Sequence, residues 1–357
     1  MIRITHFNEV FSNVETDTHT KHKLMRLFHI EEPGHYFNPM YKLGAWDGRR
    51  NLYNGGNLIH SGLIPFIKNY CKKSKIEFED ETKLFPRNTK HREDLSDFIK
   101  ELKLPFEPRE YQLNAVKECI YYKKLAICSP TSSGKSFIIY MLTRYMQNHK
   151  RGNNKLLIIV PSNILVKQMY DDFADYSKNS DWDVKENCSR ISSDFNKDFN
   201  KDIIITTYQS IANEDIEFFK NFEGVILDEC HGAQSYNNEK AKRLHIILNQ
   251  CINSRYRFGF TGTFPDEMLY RLTLLKYFCN KYDATDYHEL LENNWISKFT
   301  LNAVKLHYLV NKNGQVYRDE LNYIYESEYR NDFLKKLLFK NKNNQLMLFK
   351  EITNGSS

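Results

Sequence analysis

Five short apolar runs, each too short for a helix, recur along the middle of the chain. They are KLAICS (124–129), KLLIIVP (155–161), DIIITT (202–207), GVILDE (224–229) and RFGFTGT (257–263). Each is rich in β-branched or aromatic residues, and stretches of helical pattern separate them. Strands apolar on both faces must be covered on both. Alternating with helices, they form a parallel sheet sandwiched between those helices. The fold class of this part is therefore α/β. In such sheets ligands bind beyond the carboxyl ends of the strands, so the residues just after each run are where function is expected.

The rest of the chain is organised differently. Residues 1–80 mix short strand-like pieces (IRITHF, KIEFED) with helical ones (THTKHKLMRLFHI, LIPFIKNYCKKS) around a turn-rich middle, and read as a small α+β domain. Residues 81–103 are charged and read as a linker plus a short helix. The α/β lobe spans 104–310, and 311–357 reads as a further linker and the start of another lobe. With 357 residues there is room for two or three domains. A net charge of +6 permits an anionic partner without demanding one. Seven scattered cysteines with no C-x-x-C pair argue against a disulfide framework and for a reduced, cytoplasmic setting. No run of about twenty apolar residues could span a bilayer. The acidic loop Asp194, Asn196, Asp198 has calcium-loop spacing. It carries Phe199 where the turn glycine belongs and Ile205 where the bidentate glutamate belongs, so it reads as a solvated loop.

After the first run comes Pro130-Thr131-Ser132-Ser133-Gly134-Lys135-Ser136, then the helical FIIYMLTRYM. Strand, tight loop and helix is the setting of a phosphate loop, although Ser129 stands where the pattern has its leading glycine. Lys135 would reach the β- and γ-phosphates and Ser136 would ligate Mg²⁺. After the fourth run come Asp228, Glu229, Cys230 and His231. Two adjacent carboxylates at the end of a buried strand suit a metal, with Asp228 holding Mg²⁺ and Glu229 polarising water. A solvated turn or a zinc site is the competing reading. Pro161, Ser162, Asn163 and Gln168 follow the second run, and Thr207, Tyr208, Gln209 and Ser210 the third. Their hydroxyls, amides and helix starts could hold a nucleic-acid backbone. Thr261, Gly262 and Thr263 follow the fifth run as a polar element beside the carboxylates.

This ordered series resembles the first motor lobe of superfamily 2 helicases. Ser129–Ser136 matches motif I, Val160–Gln168 motif Ia, Thr206–Ser210 motif Ib, Asp228–His231 a DEAD/DEAH-type motif II, and Thr261–Thr263 motif III. FEPREYQLNAV is similar to the upstream adenine motif. The resemblance implies a RecA-like parallel-sheet lobe, with Gln112 reading adenine and Phe106 or Tyr111 stacking on it. It also implies His231, Thr261 and Thr263 as coupling residues, and ATP and Mg²⁺ as cofactors. HYFNPMYKLGAWDGR, PTSSGKS, LLIIVPSNILVKQM and LDECH bring the chain closest to the recombination helicases of T-even-type phages. That narrower likeness implies an ATP-driven motor on branched or duplex DNA: junctions, forks and R-loops, the last with an RNA–DNA hybrid.

Trp46 reads as a core residue beside a tight turn, while Arg49 and Arg50 stand open between DNA contacts and ordinary surface arginines. Family members carry a second lobe with a late arginine motif, which is missing here; Gln345–Ile352 reads as that lobe's first strand. Two alternatives follow: a fragment that binds ATP and DNA with little turnover, or the motor subunit of a restriction-type nuclease. No nuclease carboxylate cluster is present for the latter.

Overall fold

The structure, a computed structural model, describes residues 1–82, 94–152, 155–195, 197–298, 305 and 322–340. Residues 83–93 of the charged linker, Asn196 and the apolar segment Gln345–Ile352 lie outside the described residues. Met1–Ser297 forms one compact unit; Lys298–Ser357 is a second, whose described helix is Glu328–Lys340.

The first unit opens with β1 (Ile2–His6), β2 (Phe11–Glu15), α1 (Thr18–Leu27), β3 (His29–Glu31), α2 (Pro39–Lys42), β4 (Arg49–Asn51), β5 (Leu58–His60), α3 (Ile64–Ser74) and β6 (Phe78–Asp80). Four of these strands form a sheet in the order β5-β2-β1-β6, and β3 pairs with β4 in a separate ribbon. Period-two patterning sets the inner face: Ile2 and Ile4 are buried and the intervening Arg3 is exposed. Asp17 starts α1 by accepting from the Thr20 N–H at 2.9 Å, a strong N-cap.

The lobe follows as α4 (Ser96–Glu101), α5 (Glu110–Tyr122), β7 (Lys124–Cys128), α6 (Lys135–Asn148), β8 (Lys155–Val160), α7 (Asn163–Ser177), α8 (Val184–Asn187), β9 (Cys188–Ile191), β10 (Ile203–Thr207), α9 (Tyr208–Ile211), α10 (Ile216–Lys220), β11 (Phe222–Leu227), α11 (Glu239–Gln250), β12 (Tyr256–Thr261), α12 (Met268–Phe278), β13 (Asn280–Asp283) and α13 (Tyr287–Glu292). Its seven strands pair in parallel in the order β13-β7-β12-β11-β8-β10-β9. The five apolar runs are the five inner strands. The sequence reading missed β9 and β13, which are edge strands; CSRI and NKYD are short and partly polar, so no continuous apolar signal marks them. Along β8, Leu156, Ile158 and Val160 pack into one core and Leu157 and Ile159 into the other. This is why both faces of the run had to be apolar. All seven cysteines are free thiols.

The N-terminal sheet does not close its core alone. Leu269 and Leu272 of α12 complete it beside Ile2, Val14, Leu24 and Phe28. Gly62 lies so close to α12 that a Cβ there would sit 1.9 Å from the Leu275 carbonyl oxygen, so only glycine fits. Lys124 Nζ meets Glu9 Oε2 at 2.7 Å, and His60 Nε2 faces Asn249 Oδ1 at 2.9 Å. Arg257, fully buried, donates to the carbonyls of Leu248, Cys251 and Tyr277 at 2.8, 3.0 and 3.2 Å. These lie at the C-terminal ends of α11 and α12, where a cation meets the negative end of the helix dipole.

Candidate nucleotide and nucleic-acid site

The sheet order puts the ends of β7, β12 and β11 side by side, so the turns after them converge. The β7 turn is the loop Ser129–Gly134, and α6 begins at Lys135 with Gly134 as its N-cap. Ser132 (φ +65°) and Gly134 (φ +81°) are left-handed. Such alternation turns successive backbone N–H groups into one concavity, an anion nest at a helix N-terminus. Ser129, the departure from the pattern, is buried, and its Oγ donates to Ser133 Oγ at 2.6 Å. Ser133 Oγ in turn donates to the Pro130 carbonyl at 2.7 Å. A serine where glycine was expected thus braces the loop from inside. Thr131 and Ser132 are exposed and Ser133 is buried.

Lys135 Nζ lies 3.7 Å from Glu229 Oε1 and donates to the Ser129 carbonyl at 3.4 Å. Glu229 is itself left-handed (φ +50°) at the sharp turn after β11. Its other oxygen faces His231 Nδ1 at 3.2 Å, and that nitrogen is 3.0 Å from Thr261 Oγ1. Thr261 Oγ1 donates to the Thr263 carbonyl at 2.8 Å. Motifs I, II and III are therefore one connected polar network. Gly262 approaches the loop closely: its Cβ direction points to Lys135 Nζ at 3.9 Å and the Thr131 N–H nitrogen at 3.9 Å.

Asp228 Oδ1 is buried with no hydrogen-bond partner. Burial, then the adjacent Glu229, pushes its carboxyl up to about 6, while Lys135 opposes the shift. A buried carboxylate oxygen without a partner is costly unless a cation or donor arrives. The donor set here is hard oxygen, with Asp228 near the start of α6. Among the described residues no group of three or more His, Cys, Asp or Glu could hold a metal. The hard oxygen donors fit Mg²⁺, which keeps waters and phosphate oxygens as ligands.

Several expectations are corrected. The Gln112 amide is buried and already used: Oε1 accepts from the Arg109 N–H at 2.9 Å and Nε2 donates to the Ser133 carbonyl at 3.0 Å. As placed here it holds the phosphate loop rather than presenting a free edge to adenine. Tyr111 is buried, with its hydroxyl donating to the same carbonyl at 2.6 Å, so it is not available for stacking. Phe106, 53% exposed and 4.8 Å from the Phe137 ring, is. Ser136 Oγ is bonded to the Tyr176 hydroxyl at 2.8 Å and also meets Asp172, whose carboxyl burial pushes up. Ser136 must leave that pair to meet a metal. Sequence reasoning missed Asp172 and Tyr176; their i, i+4 spacing on α7 was the available signal.

The second and third runs end on the other side of the carboxyl edge. Ser162 caps α7 by accepting from the Leu165 N–H at 3.4 Å. Gln168 and Gln209 are exposed; Pro161, Ser162, Asn163 and Tyr208 are half-buried. Asn163 Nδ2 donates to Ser193 Oγ. Thr207 is turned inward, its hydroxyl bonded to Ser210 Oγ at 3.0 Å, so it shapes the turn rather than facing a ligand.

In the N-terminal region Trp46 is half-buried rather than core. Its Nε1 donates to the Arg49 carbonyl at 2.8 Å and Arg50 lies over its ring at 5.4 Å. Only Gly48, in the turn beside it, is buried. Arg50 pairs with the buried Glu32 and donates to Asn237 Oδ1 at 2.9 Å, bridging the β3–β4 ribbon to the segment after motif II. Arg49 is exposed. Among the described residues, no helix is long and apolar enough to cross a membrane.

Residues 105–266 match the family model of the type III restriction enzyme res subunit, and residues 2–79 match that of the DNA helicase UvsW N-terminal region. The ATP-dependent DNA helicase uvsW of Enterobacteria phage T4 is 28% identical over 366 residues, covering 99% of this chain and 71% of that protein. The endonuclease subunit of a type I restriction enzyme from Staphylococcus saprophyticus is 28% identical over 167 residues, covering 43% of this chain and 17% of its own. A crystal structure of the UvsW helicase from bacteriophage T4 matches with a TM-score of 0.69 at 26% identity, over 79% of this chain and 99% of that one. A second T4 UvsW crystal structure matches with a TM-score of 0.69 at 24% identity, over 99% of this chain and 71% of that one. The res-subunit family match is confined to residues 105–266, whereas the phage helicase likeness runs through both parts of the chain. The chain is UvsW-like: its N-terminal region matches the UvsW N-terminal family, its motor region matches the res-subunit family, and both parts are similar to the ATP-dependent DNA helicase of phage T4.

Proposed function

We propose that this chain binds Mg-ATP at the β7–β11–β12 edge and uses it to remodel branched DNA such as junctions, forks and R-loops. The observation that carries the reading is the joining of Lys135, Glu229, His231 and Thr261 into one network beside a left-handed phosphate loop. The loop N–H groups and Lys135 bind the phosphates. Asp228 and Ser136 would hold Mg²⁺, which supplies charge neutralisation of the β- and γ-phosphate oxygens. Glu229 orients the attacking water and accepts its proton. In the network described above, Glu229 is paired with Lys135 and His231; withdrawal of Lys135 to a phosphate frees one of its oxygens. His231 and Thr261 then report the state of Glu229 to motif III. Phe106 stacks on the base.

DNA phosphates meet Ser162, Asn163, Gln168 and Gln209 at the ends of β8 and β10, and Arg49 adds a contact from the N-terminal region. Full turnover would draw on an arginine that reaches the γ-phosphate from a second lobe and stabilises transition-state charge. Without one, the chain would act as a low-turnover ATP- and DNA-binding unit.

Titration with Mg-ATP tests the nucleotide site. Lys135→Ala loses a charge-assisted phosphate contact, and affinity is expected to fall by about tenfold or more. An unchanged affinity with the fold intact refutes the site. Competition between a four-way junction and linear duplex tests the substrate: equal affinity for the two removes the branched-DNA proposal and leaves the nucleotide site standing.

A further inference from the structure

A chain of contacts runs from the end of the lobe through the start of α5 to the phosphate loop, and its far end, Trp295, lies outside every motif of the series. It starts where the polypeptide leaves α13. Asn294 turns the backbone through a left-handed conformation (φ +55°), and the Trp295 N–H donates to the Leu290 carbonyl at 2.9 Å. The half-buried Trp295 ring is thereby pinned against the start of α5. The Arg109 guanidinium sits over it at 4.6 Å from the ring centroid, and the Tyr111 ring lies 5.6 Å away at 45°.

Arg109 and Tyr111 do not end there. Arg109 Nη1 donates to the Tyr111 hydroxyl at 3.2 Å, and that hydroxyl donates to the Ser133 carbonyl at 2.6 Å. The Arg109 N–H holds Gln112 Oε1 at 2.9 Å, and Gln112 Nε2 reaches the same carbonyl at 3.0 Å. Two donors thus draw one carbonyl oxygen backward, between the two left-handed residues Ser132 and Gly134. Because a trans peptide points its C=O and N–H in opposite directions, pulling that oxygen back turns the Gly134 N–H forward, toward where a phosphate would sit. A Cβ at Gly134 would lie 2.5 Å from Gln112 Nε2, so the latch and the loop are packed without slack.

We propose that Trp295 is a positioning residue for nucleotide binding. It touches no nucleotide; it fixes Arg109 and Tyr111, and through them the Ser133 carbonyl and the loop. The ring supplies a flat anion-like face for the guanidinium, which would otherwise be free to swing and release the Tyr111 hydroxyl. The inference rests on the phosphate-loop reading. It adds that the segment leaving the lobe and the phosphate loop report on each other.

Two measurements test it. In Trp295→Ala, Mg-ADP affinity by calorimetry is expected to fall about fivefold, the scale of one cation–π contact, with Trp295→Tyr recovering most of the loss. In a Trp46→Phe, Trp182→Phe background, Trp295 is the sole tryptophan. Its emission is expected to shift on addition of Mg-ADP, and the added Lys135→Ala substitution to abolish the shift at the same nucleotide concentration. A folded Trp295→Ala variant with parental affinity overturns the proposal. So does a silent Trp295 emission while calorimetry shows saturating Mg-ADP binding, and this second arm holds even if Trp295→Ala fails to fold. Absence of any Mg-ADP binding by the parent chain refutes the phosphate-loop reading itself and this inference with it.

Discussion

Lys276 is a cation buried where, among the described residues, no carboxylate pairs with it, and replacing it should stabilise the protein. The side chain is 5% exposed on α12, beneath the N-terminal sheet. Its Nζ donates to the Tyr236 hydroxyl at 2.7 Å and lies over the rings of Tyr236 and Tyr277 at 4.9 and 4.6 Å. None of these carries charge at neutral pH; burial pushes the Tyr236 phenol up to about 12. Nearby His245, drawn down to about 3 by burial and then by Lys276, stays neutral too. Burial alone brings Lys276 from the ordinary 10.5 down to about 7. At roughly 1.36 kcal/mol per unit, charging it in the folded state costs up to about 5 kcal/mol. The sign follows from linkage. Between about 7 and 10.5 the unfolded chain holds the proton more tightly, so the penalty is complete below pH 7 and fades as pH rises toward 10.5. Lys276→Met keeps the length and apolar stem but loses the bond to Tyr236, a cost of about 1 kcal/mol. Reversible urea unfolding should therefore show a gain of about 1–3 kcal/mol at pH 7, shrinking toward zero by pH 9.5. A variant destabilised at pH 7, or one whose gain is the same at both pH values, refutes the argument.

What could be read in advance, and what could not, divides along physical lines. The inner strands were legible because burial on both faces leaves an unbroken apolar run, and the turns after β7, β11 and β12 were legible because carboxylates, lysine and glycine at strand ends have few structural uses. The edge strands β9 and β13 were not, since one neighbour suffices and polar residues are tolerated. Side-chain direction was the second limit. Gln112, Tyr111 and Thr207 carry the right groups at the right positions, but each is turned to the backbone of its own lobe. Composition cannot say whether an amide faces a ligand or a neighbouring loop. Arg50 shows the same limit across greater sequence distance: its partners Glu32 and Asn237 are 18 and 187 positions away. Trp46 illustrates the converse, an apolar residue whose ring serves as a platform for Arg50 rather than as core.

Three further substitutions separate binding from architecture. Asp228→Asn removes the partnerless buried oxygen's charge, so affinity for ATP should lose its dependence on Mg²⁺ while the fold persists; a parental Mg²⁺ dependence would take Asp228 out of the metal site. The arginine pair is the sharper case, because adjacent residues of one type are assigned opposite roles. Arg50 neutralises Glu32, which is 4% exposed, and ties it to Asn237. Breaking a buried pair costs about 3–5 kcal/mol, less here because the Arg50 side chain is itself 39% exposed, so Arg50→Ala should lose about 1–3 kcal/mol of stability. Arg49 is exposed and bonded only through its backbone, so Arg49→Ala should leave the melting temperature within about a degree. It should instead lower the salt slope of junction binding by about one. The contrast is read from thermal melts and from junction affinity across a salt series on the same two proteins. If Arg50→Ala melts with the parent and flattens the salt slope, then Glu32 does not hold it, and the second arginine faces DNA after all.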